Sequence, residues 1–207
     1  MTDRRLPGID RGRPLPRPSA PWQYTDMSKA YAVLSAIGAD RVGIVDDLSG
    51  LVSSSGGNIE ESKMAVLGGE FAVMMLVSMN EGALETLASS ADEIEARLGL
   101  KLGIVRTREE AAQERGRPYS LETVSLDGRG IVHAVSAVLR RHGINIEDLE
   151  TSTDRAPLTG APLFRMKANV VLGQGVSVSA LRRDLEELEA SQDLDIVLMP
   201  IVPTRRD

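Results

Sequence analysis

The chain of 207 residues has no cysteine, and only 3% of its residues are aromatic. Without cysteine it can form no disulfide, no thiolate nucleophile and no cysteine-rich zinc site. RNA-binding domains stack bases on aromatic side chains, and this chain has few of them. The 24 basic residues are outnumbered by 30 acidic ones, whereas binding to nucleic acid phosphates or anionic lipids requires concentrated positive charge. The composition therefore predicts no direct nucleic acid partner and no membrane partner.

Long apolar runs are lacking as well. The longest uncharged apolar run, residues 71–79, is far shorter than a membrane-spanning helix. No segment near the start of the chain has the apolar pattern of a secretory signal. We therefore expect the protein to be cytoplasmic.

Signatures of catalysis, nucleotide binding and metal binding are missing too. His133 and His142 fall in or just beyond a helical pattern, where surface positions explain them, and no matched nucleophile and base can be identified. Residues 38–43 have the glycine spacing of a phosphate-binding loop but lack the Lys-Ser/Thr pair that follows in such loops. The acidic pairs 46–47 and 60–61 lack the spaced oxygen ligands of a cation-binding loop. We expect no enzymatic activity, no cofactor and no metal.

Residues 1–27 differ in kind from the rest of the chain. Their first 26 residues hold half of the ten prolines together with five arginines, and they show no apolar period. Such a segment cannot bury enough surface to offset its conformational entropy. We predict a disordered Pro/Arg-rich arm, with Met27 as an alternative start of the protein.

A repeat organises the remaining sequence. The segment from Asp40 to Val45 recurs from Asp127 to Val132, which is an offset of 87 residues (127 minus 40). The same offset superimposes residues 58–60 on residues 145–147, both reading Asn-Ile-Glu, without a gap. Apolar residues between these two motifs follow the stripe of a helix with one buried face in each copy.

Each copy is predicted to contain a strand, a helix, two strands, a helix and a strand, in that order. The strands are predicted at 31–37, 59–67, 71–79 and 102–105, and again at 119–126, 146–151, 164–172 and 196–199. The second helices are predicted at 83–98 and 178–188. This order predicts an α+β protein of two ferredoxin-like (βαββαβ) domains, each a four-stranded antiparallel sheet with two helices on one face. We place the domains at 28–110 and 118–207, with a linker at 111–117.

The third strands of the two copies differ in pattern. In the second copy apolar residues alternate with Arg165, Lys167 and Asn169, as a sheet with one solvent-exposed face requires. In the first copy Ala72, Met74 and Leu76 stand where those polar residues stand. We predict that this face of the first sheet packs on another domain or subunit.

These motifs carry a family resemblance over residues 30–203. The D-x-x-G-I-V turn that opens a helix, the Asn-Ile-Glu after it and the doubling of both resemble tandem ACT domain proteins. The stretch APLTGAPLF at residues 156–164 is similar to one typical of the glycine cleavage system transcriptional repressor family. The resemblance implies a sensor of amino acids. Its ligand is expected near the first strand-to-helix turn, against the start of the second strand of a paired domain.

The residue types at these positions suit an amino acid. A helix N-terminus favours the carboxylate, and Gly43 and Gly130 allow a ligand to approach the backbone. An aspartate can accept from the ammonium group, and an asparagine can bond to both groups. The alternative is that the aspartates cap the helices and the asparagines serve the following turn. The candidate ligand-binding residues are Asp40, Arg41, Val42, Gly43, Asn58 and Ile59 in the first copy, and Asp127, Gly128, Arg129, Gly130, Asn145 and Ile146 in the second.

Two functions remain open at this point. In the first, a small amino acid, with glycine as the leading candidate by resemblance, alters how a homodimer contacts a transcriptional activator or a metabolic enzyme. In the second, the two ACT domains form a protein interaction scaffold that needs no ligand, and the predicted loop at 152–162 makes the contact.

Overall fold

The computed structural model describes residues 29–108, 116–156 and 159–202. Two compact units make up the chain, Met1–Glu109 and Glu110–Asp207. The predicted arm at 1–27, residues 111–115 of the predicted linker and residues 157–158 lie outside the described residues. The exact domain limits therefore stay a prediction. Among the described residues, no helix has the length and apolar character needed to cross a membrane.

The first unit forms one four-stranded sheet. Its strands lie in the order β2-β3-β1-β4, and every neighbouring pair is antiparallel. The elements are β1 (Lys29–Ala39), α1 (Ile44–Ser54), β2 (Asn58–Leu67), β3 (Glu70–Asn80), α2 (Glu81–Ser89), α3 (Ala91–Leu98) and β4 (Lys101–Thr107).

The second unit repeats this plan with the order β6-β7-β5-β8. Two successive copies of this antiparallel arrangement confirm the predicted α+β, ferredoxin-like fold. The elements are β5 (Arg117–Leu126), α4 (Ile131–Arg141), β6 (Asn145–Arg155), β7 (Pro162–Leu172), α5 (Val178–Gln192) and β8 (Asp195–Pro200).

The second helix of the first copy departs from the prediction. It is not continuous over 83–98 but breaks at Ser90, which ends α2 and begins α3. The hydroxyl groups of Thr86 and Ser89 donate to the carbonyls of Gly82 and Thr86, at 2.8 and 2.9 Å. Such bonds from side chain to backbone compete with the helical pattern and bend helices. The second copy has a single helix, α5, at the same place.

The predicted loop at 152–162 is shorter than expected. Strand β6 continues to Arg155, and β7 begins at Pro162. The amide of Ala156 donates to the carbonyl of Ala161 at 2.8 Å, and that of Gly160 donates to Ala156 at 2.9 Å. The described ends of this connection are therefore paired with each other, because the antiparallel ladder continues to Arg155 and Pro162.

One face of each sheet carries the helices and the apolar core. Leu34 and Leu121, which occupy the same place in the two copies, are both fully buried. In each copy a glutamate on the last helix also accepts a backbone N–H from the closing strand. Leu102 donates to Glu95 at 2.8 Å, and Ile196 donates to Glu189 at 2.5 Å. These bonds fasten the last helix to an edge of the sheet.

The opposite faces of the two sheets differ as predicted. In the first copy this outer face exposes Ile37, Met74 and Val105 at 52%, 60% and 65%. In the second copy it carries charged pairs instead, with Lys167 Nζ 3.4 Å from the carboxylate of Glu122. The packing of the apolar outer face on a partner stays a prediction.

Candidate functional site

The turn between the first strand and the first helix has the same backbone in both copies. Gly43 and Gly130 are the N-cap residues of α1 and α4, with φ angles of 93° and 87°. Backbone in this left-handed region strains any residue that carries a Cβ, so both positions require glycine. In the described parts of the chain, no side chain caps either N-terminus. The alternative that Asp40 and Asp127 cap these helices is therefore wrong.

The two aspartates instead begin the turns. The amide of Asp40 donates to the carbonyl of Gly69, and that of Asp127 donates to Pro162, both at 2.9 Å. Each turn is thereby fastened to the neighbouring hairpin. The first bond within each helix reaches the carbonyl of its glycine cap at 2.9 Å. The backbone N–H groups before that bond have no acceptor within the helix, which makes each N-terminus a place for an anion.

Charges around the two helix N-termini differ. In the first copy Asp46 and Asp47 lie in the first turn, whereas the first turn of α4 contains no acidic residue. Arg41 Nη2 lies 2.7 Å from Asp47 Oδ2 and donates to the carbonyl of Leu98 at 3.2 Å. Arg41 is therefore held against its own domain, next to the fully exposed Val42.

The second copy presents its turn differently. Gly128 takes the place of Arg41, and Arg129, which is exposed, takes the place of Val42. His133 replaces Asp46 in the first helical turn. Because like charges repel, the N-terminus of α4 favours a carboxylate more than that of α1 does.

The asparagines lie far from these turns. In the sheet register Asn58 is level with Ser78 and Tyr31, near the start of β1. The turn follows Ala39, eight residues further along β1, which corresponds to about 26 Å of strand. Asn145, level with Val171 and Pro118, has the same relation to its own turn. Within one copy the structure does not bring the two groups of predicted residues together.

The start of β2 carries a hydrogen-bonded cluster, which we call the Glu60 cluster and which consists of Lys29, Asn58, Glu60 and Ser78. Glu60 Oε1 accepts from Ser78 Oγ at 2.5 Å and from Lys29 Nζ at 2.9 Å. The Asn58 side chain also faces this carboxylate and helps to lower the pKa of Glu60. Ser78 is buried at 3% exposure, and Lys29 Nζ lies 5.0 Å from the ring centre of Tyr31. The amide of Asn58 thus lies beside a carboxylate that Ser78 and Lys29 hold in place.

The start of β6 borders an open cleft of about 530 Å³. Ile146 is half-buried and packs on the core, as Ile59 does in the first copy. His142, at the end of α4, is not in the cleft and lies 2.9 Å from Asp184 on α5. The cleft is lined by His133, Ser136, Ala137, Arg140, Gly143, Ile144, Asn145 and Ile146.

Comparison with known proteins identifies the family. An ACT domain model matches residues 30–105. The glycine cleavage system transcriptional repressor of Escherichia coli is 33% identical over 129 residues, which span 62% of this chain and 68% of the repressor. The chain belongs to this repressor family of ACT domain proteins. An unknown protein from Galdieria sulphuraria, known from its crystal structure, is 34% identical in sequence and superimposes with a TM-score of 0.71. The alignment covers 84% of this chain and 99% of the Galdieria chain.

This ACT domain protein contains functional candidates that the sequence pattern did not single out. Ser78 and Lys29 stood outside the repeated motifs, and Glu60 was noted only as part of the Asn-Ile-Glu motif and of an acidic pair. The available signal was Ser78, a hydroxyl residue within an otherwise apolar strand. The described residues contain no group of three or more His, Cys, Asp or Glu side chains placed to hold an ion.

The Glu60 cluster leads to a pH prediction. The bond from Ser78, then those from Lys29 and Asn58, lower the pKa of Glu60 from 4.5 to about 2. Because the folded protein favours the ionised form, its stabilising effect is fully present above pH 4.5 and is lost as the pH falls towards 2. An NMR titration of the Glu60 side-chain carboxyl carbon should show a midpoint near 2. A midpoint at the ordinary value of 4.5 would show that the cluster does not form in solution.

Proposed function

We propose that this protein is a non-catalytic regulator that binds a small amino acid at the interfaces of ACT domains and modulates a transcription factor or a metabolic enzyme. The observation that carries the proposal is the doubled turn, in which a glycine begins each helix and no side chain in the described residues caps it. Glycine is the first candidate because the related E. coli protein is a glycine cleavage system transcriptional repressor.

The chemistry of the two residue groups matches a zwitterion. The amides at the start of α1 or α4 suit a carboxylate, and Gly43 and Gly130 place no side chain in its way. The side-chain oxygen of Asn58 or Asn145 can accept from an ammonium group. Asp40 or Asp127 would add a charge-assisted acceptor at the turn.

The separation of these groups suggests an assembly. A single amino acid cannot touch a turn and an asparagine of the same copy, because about 26 Å of strand divides them. A ligand that contacts both must therefore lie where two ACT domains meet. We propose a homodimer that provides such a site, acting in the cytoplasm. The apolar outer face of the first sheet, with Ile37, Met74 and Val105 exposed, supplies a surface for this or another protein contact.

Regulation would follow by linkage. If the ligand has different affinities for two packings of the ACT domains, it shifts the population between them. A transcriptional activator or an enzyme that contacts only one packing would then respond to the amino acid. The turns and asparagines are the proposed ligand contacts, and the outer face is the proposed protein contact.

Calorimetry with glycine, serine and other amino acids tests the proposal. Glycine is expected to bind the unchanged protein, and Asn58→Ala or Asn145→Ala should weaken binding about tenfold, in line with the loss of a hydrogen bond to a charged group. Asn169→Ala, on the polar outer face of β7, is the matched control and should leave affinity within twofold. No heat with any amino acid would favour the scaffold function, for which the apolar outer face of the first sheet is the supporting observation.

A further inference from the structure

The starts of β2 and β6 share a backbone but differ in side chains. Each strand has a bulge at the glutamate of its Asn-Ile-Glu motif, so that Glu60 and Glu147 are both skipped in the strand register. Residues aligned with each asparagine can therefore be compared directly. The position of Ser78 in the first copy is occupied by Val171 in the second, that of Tyr31 by Pro118, and that of Lys29 by Gly116.

These replacements remove the two side-chain groups that donate hydrogen bonds to the glutamate in the first copy. The side chain of Val171 has no hydroxyl to donate, and Gly116 has no side chain that could supply an ammonium group. In the first copy both donors converge on a single oxygen of Glu60, at 2.5 and 2.9 Å. Glu147 cannot be held in this way, although it occupies the same bulge.

An anchored carboxylate fixes the orientation of the asparagine beside it. An ionised carboxylate only accepts hydrogen bonds, so the NH₂ end is the end of the Asn58 amide that is favoured on the side facing Glu60. The carbonyl end then points away from Glu60, and rotating the amide would set two acceptors against each other. A preorganised acceptor binds a ligand more tightly because less ordering accompanies binding.

We infer that Glu60, anchored by Ser78 and Lys29, is a positioning residue that turns the Asn58 carbonyl towards the ligand's ammonium group, which makes a ligand site that uses Asn58 more selective for ammonium than a site that uses Asn145. The described residues at the equivalent positions of the second copy, Val171 and Gly116, supply no such anchor, so Asn145 contributes less selectivity. The inference rests on the proposed function and adds to it that the two copies differ in their selectivity for the ligand's ammonium group.

Paired substitutions at the two bulges test the inference, with calorimetric titration of glycine and of glycolate, which has a hydroxyl in place of the ammonium group. Glu60→Gln should weaken glycine binding about tenfold, the effect of losing a charge-assisted bond, and glycolate binding by less than twofold. Glu147→Gln, the matched control, should leave both within twofold. Equal effects of the two substitutions on glycine would overturn the inference.

A second pair of variants separates positioning from general damage to the fold. Ser78→Val gives the first copy the residue found at the equivalent place in the second, and it should lower the ratio of glycine to glycolate affinity about fivefold. Ser78→Thr keeps the hydroxyl and should retain the ratio. Equal weakening of glycine and glycolate by Ser78→Val would show a merely structural role. If the unchanged protein binds no amino acid, the proposed function itself fails, whereas binding that ignores Glu60 and Ser78 refutes only this inference.

Discussion

Leu121→Ala is expected to lower the free energy of unfolding of the second copy by about 3.5 kcal/mol, the middle of the range for a buried leucine that leaves a cavity. Leu121 is fully buried at the centre of β5, in register with Ala168 on β7 and Leu198 on β8. Neighbours on both sides limit how far the site can collapse. Hydrogen exchange of the β5 and β7 amides measures the loss for this copy by itself.

Leu126→Ala is the matched control for that experiment. Leu126 ends the same strand but is 63% exposed, so its truncation should cost less than about 0.5 kcal/mol. A similar loss for both variants would mean that burial in this sheet does not determine stability. Such a result would contradict the placement of the core on the helix-covered face.

Thr123→Val should raise the stability of the second copy by about 2 kcal/mol. The Thr123 side chain is fully buried, and its hydroxyl has no hydrogen-bond partner among the residues that the structure describes. A buried polar group without a partner costs about 1 to 3 kcal/mol, and valine has nearly the same shape without that group. In the first copy the equivalent position is Ala36, which is apolar and also buried. Denaturant unfolding, with the same exchange measurement, reports the gain.

Thr151→Val provides the comparison, because Thr151 on β6 is exposed and its substitution should change stability by less than about 0.5 kcal/mol. A destabilised Thr123→Val variant would contradict the prediction. It would show that the hydroxyl has a hydrogen-bond partner in solution, such as an ordered water molecule that also bonds to Ser125, whose buried hydroxyl likewise lacks a partner within the described parts of the chain.

Much of the fold could be predicted because its signals are local. Apolar stripes and strand runs located most of the elements, and the paired glycines 68 and 69, both with positive φ, form the expected hairpin turn. The break at Ser90 was missed because the apolar period continues through it. The facing ends of β6 and β7 were predicted too short. Ser152 and Arg155 are polar and exposed, and strand pairing there depends on the partner strand.

The candidate site was predictable only in part. Gly43 and Gly130 were singled out because the repeated D-x-x-G-I-V motif places a glycine directly before an apolar period, and the structure gives both a left-handed backbone. The Glu60 cluster was not found, since Lys29, Glu60 and Ser78 come from three strands and meet only through the sheet register.

The sequence by itself determined the doubled architecture, because periodicity and turn residues act over a few positions and were repeated at one offset. Only the tertiary structure decided two further points: within each copy the turn and the asparagine lie at opposite ends of the sheet, and Glu60 is anchored while Glu147 lacks the same donors. The reason is physical. Hydrogen bonds between strands join residues that are distant in sequence, and their partners are set by register and side-chain reach, which no local pattern encodes.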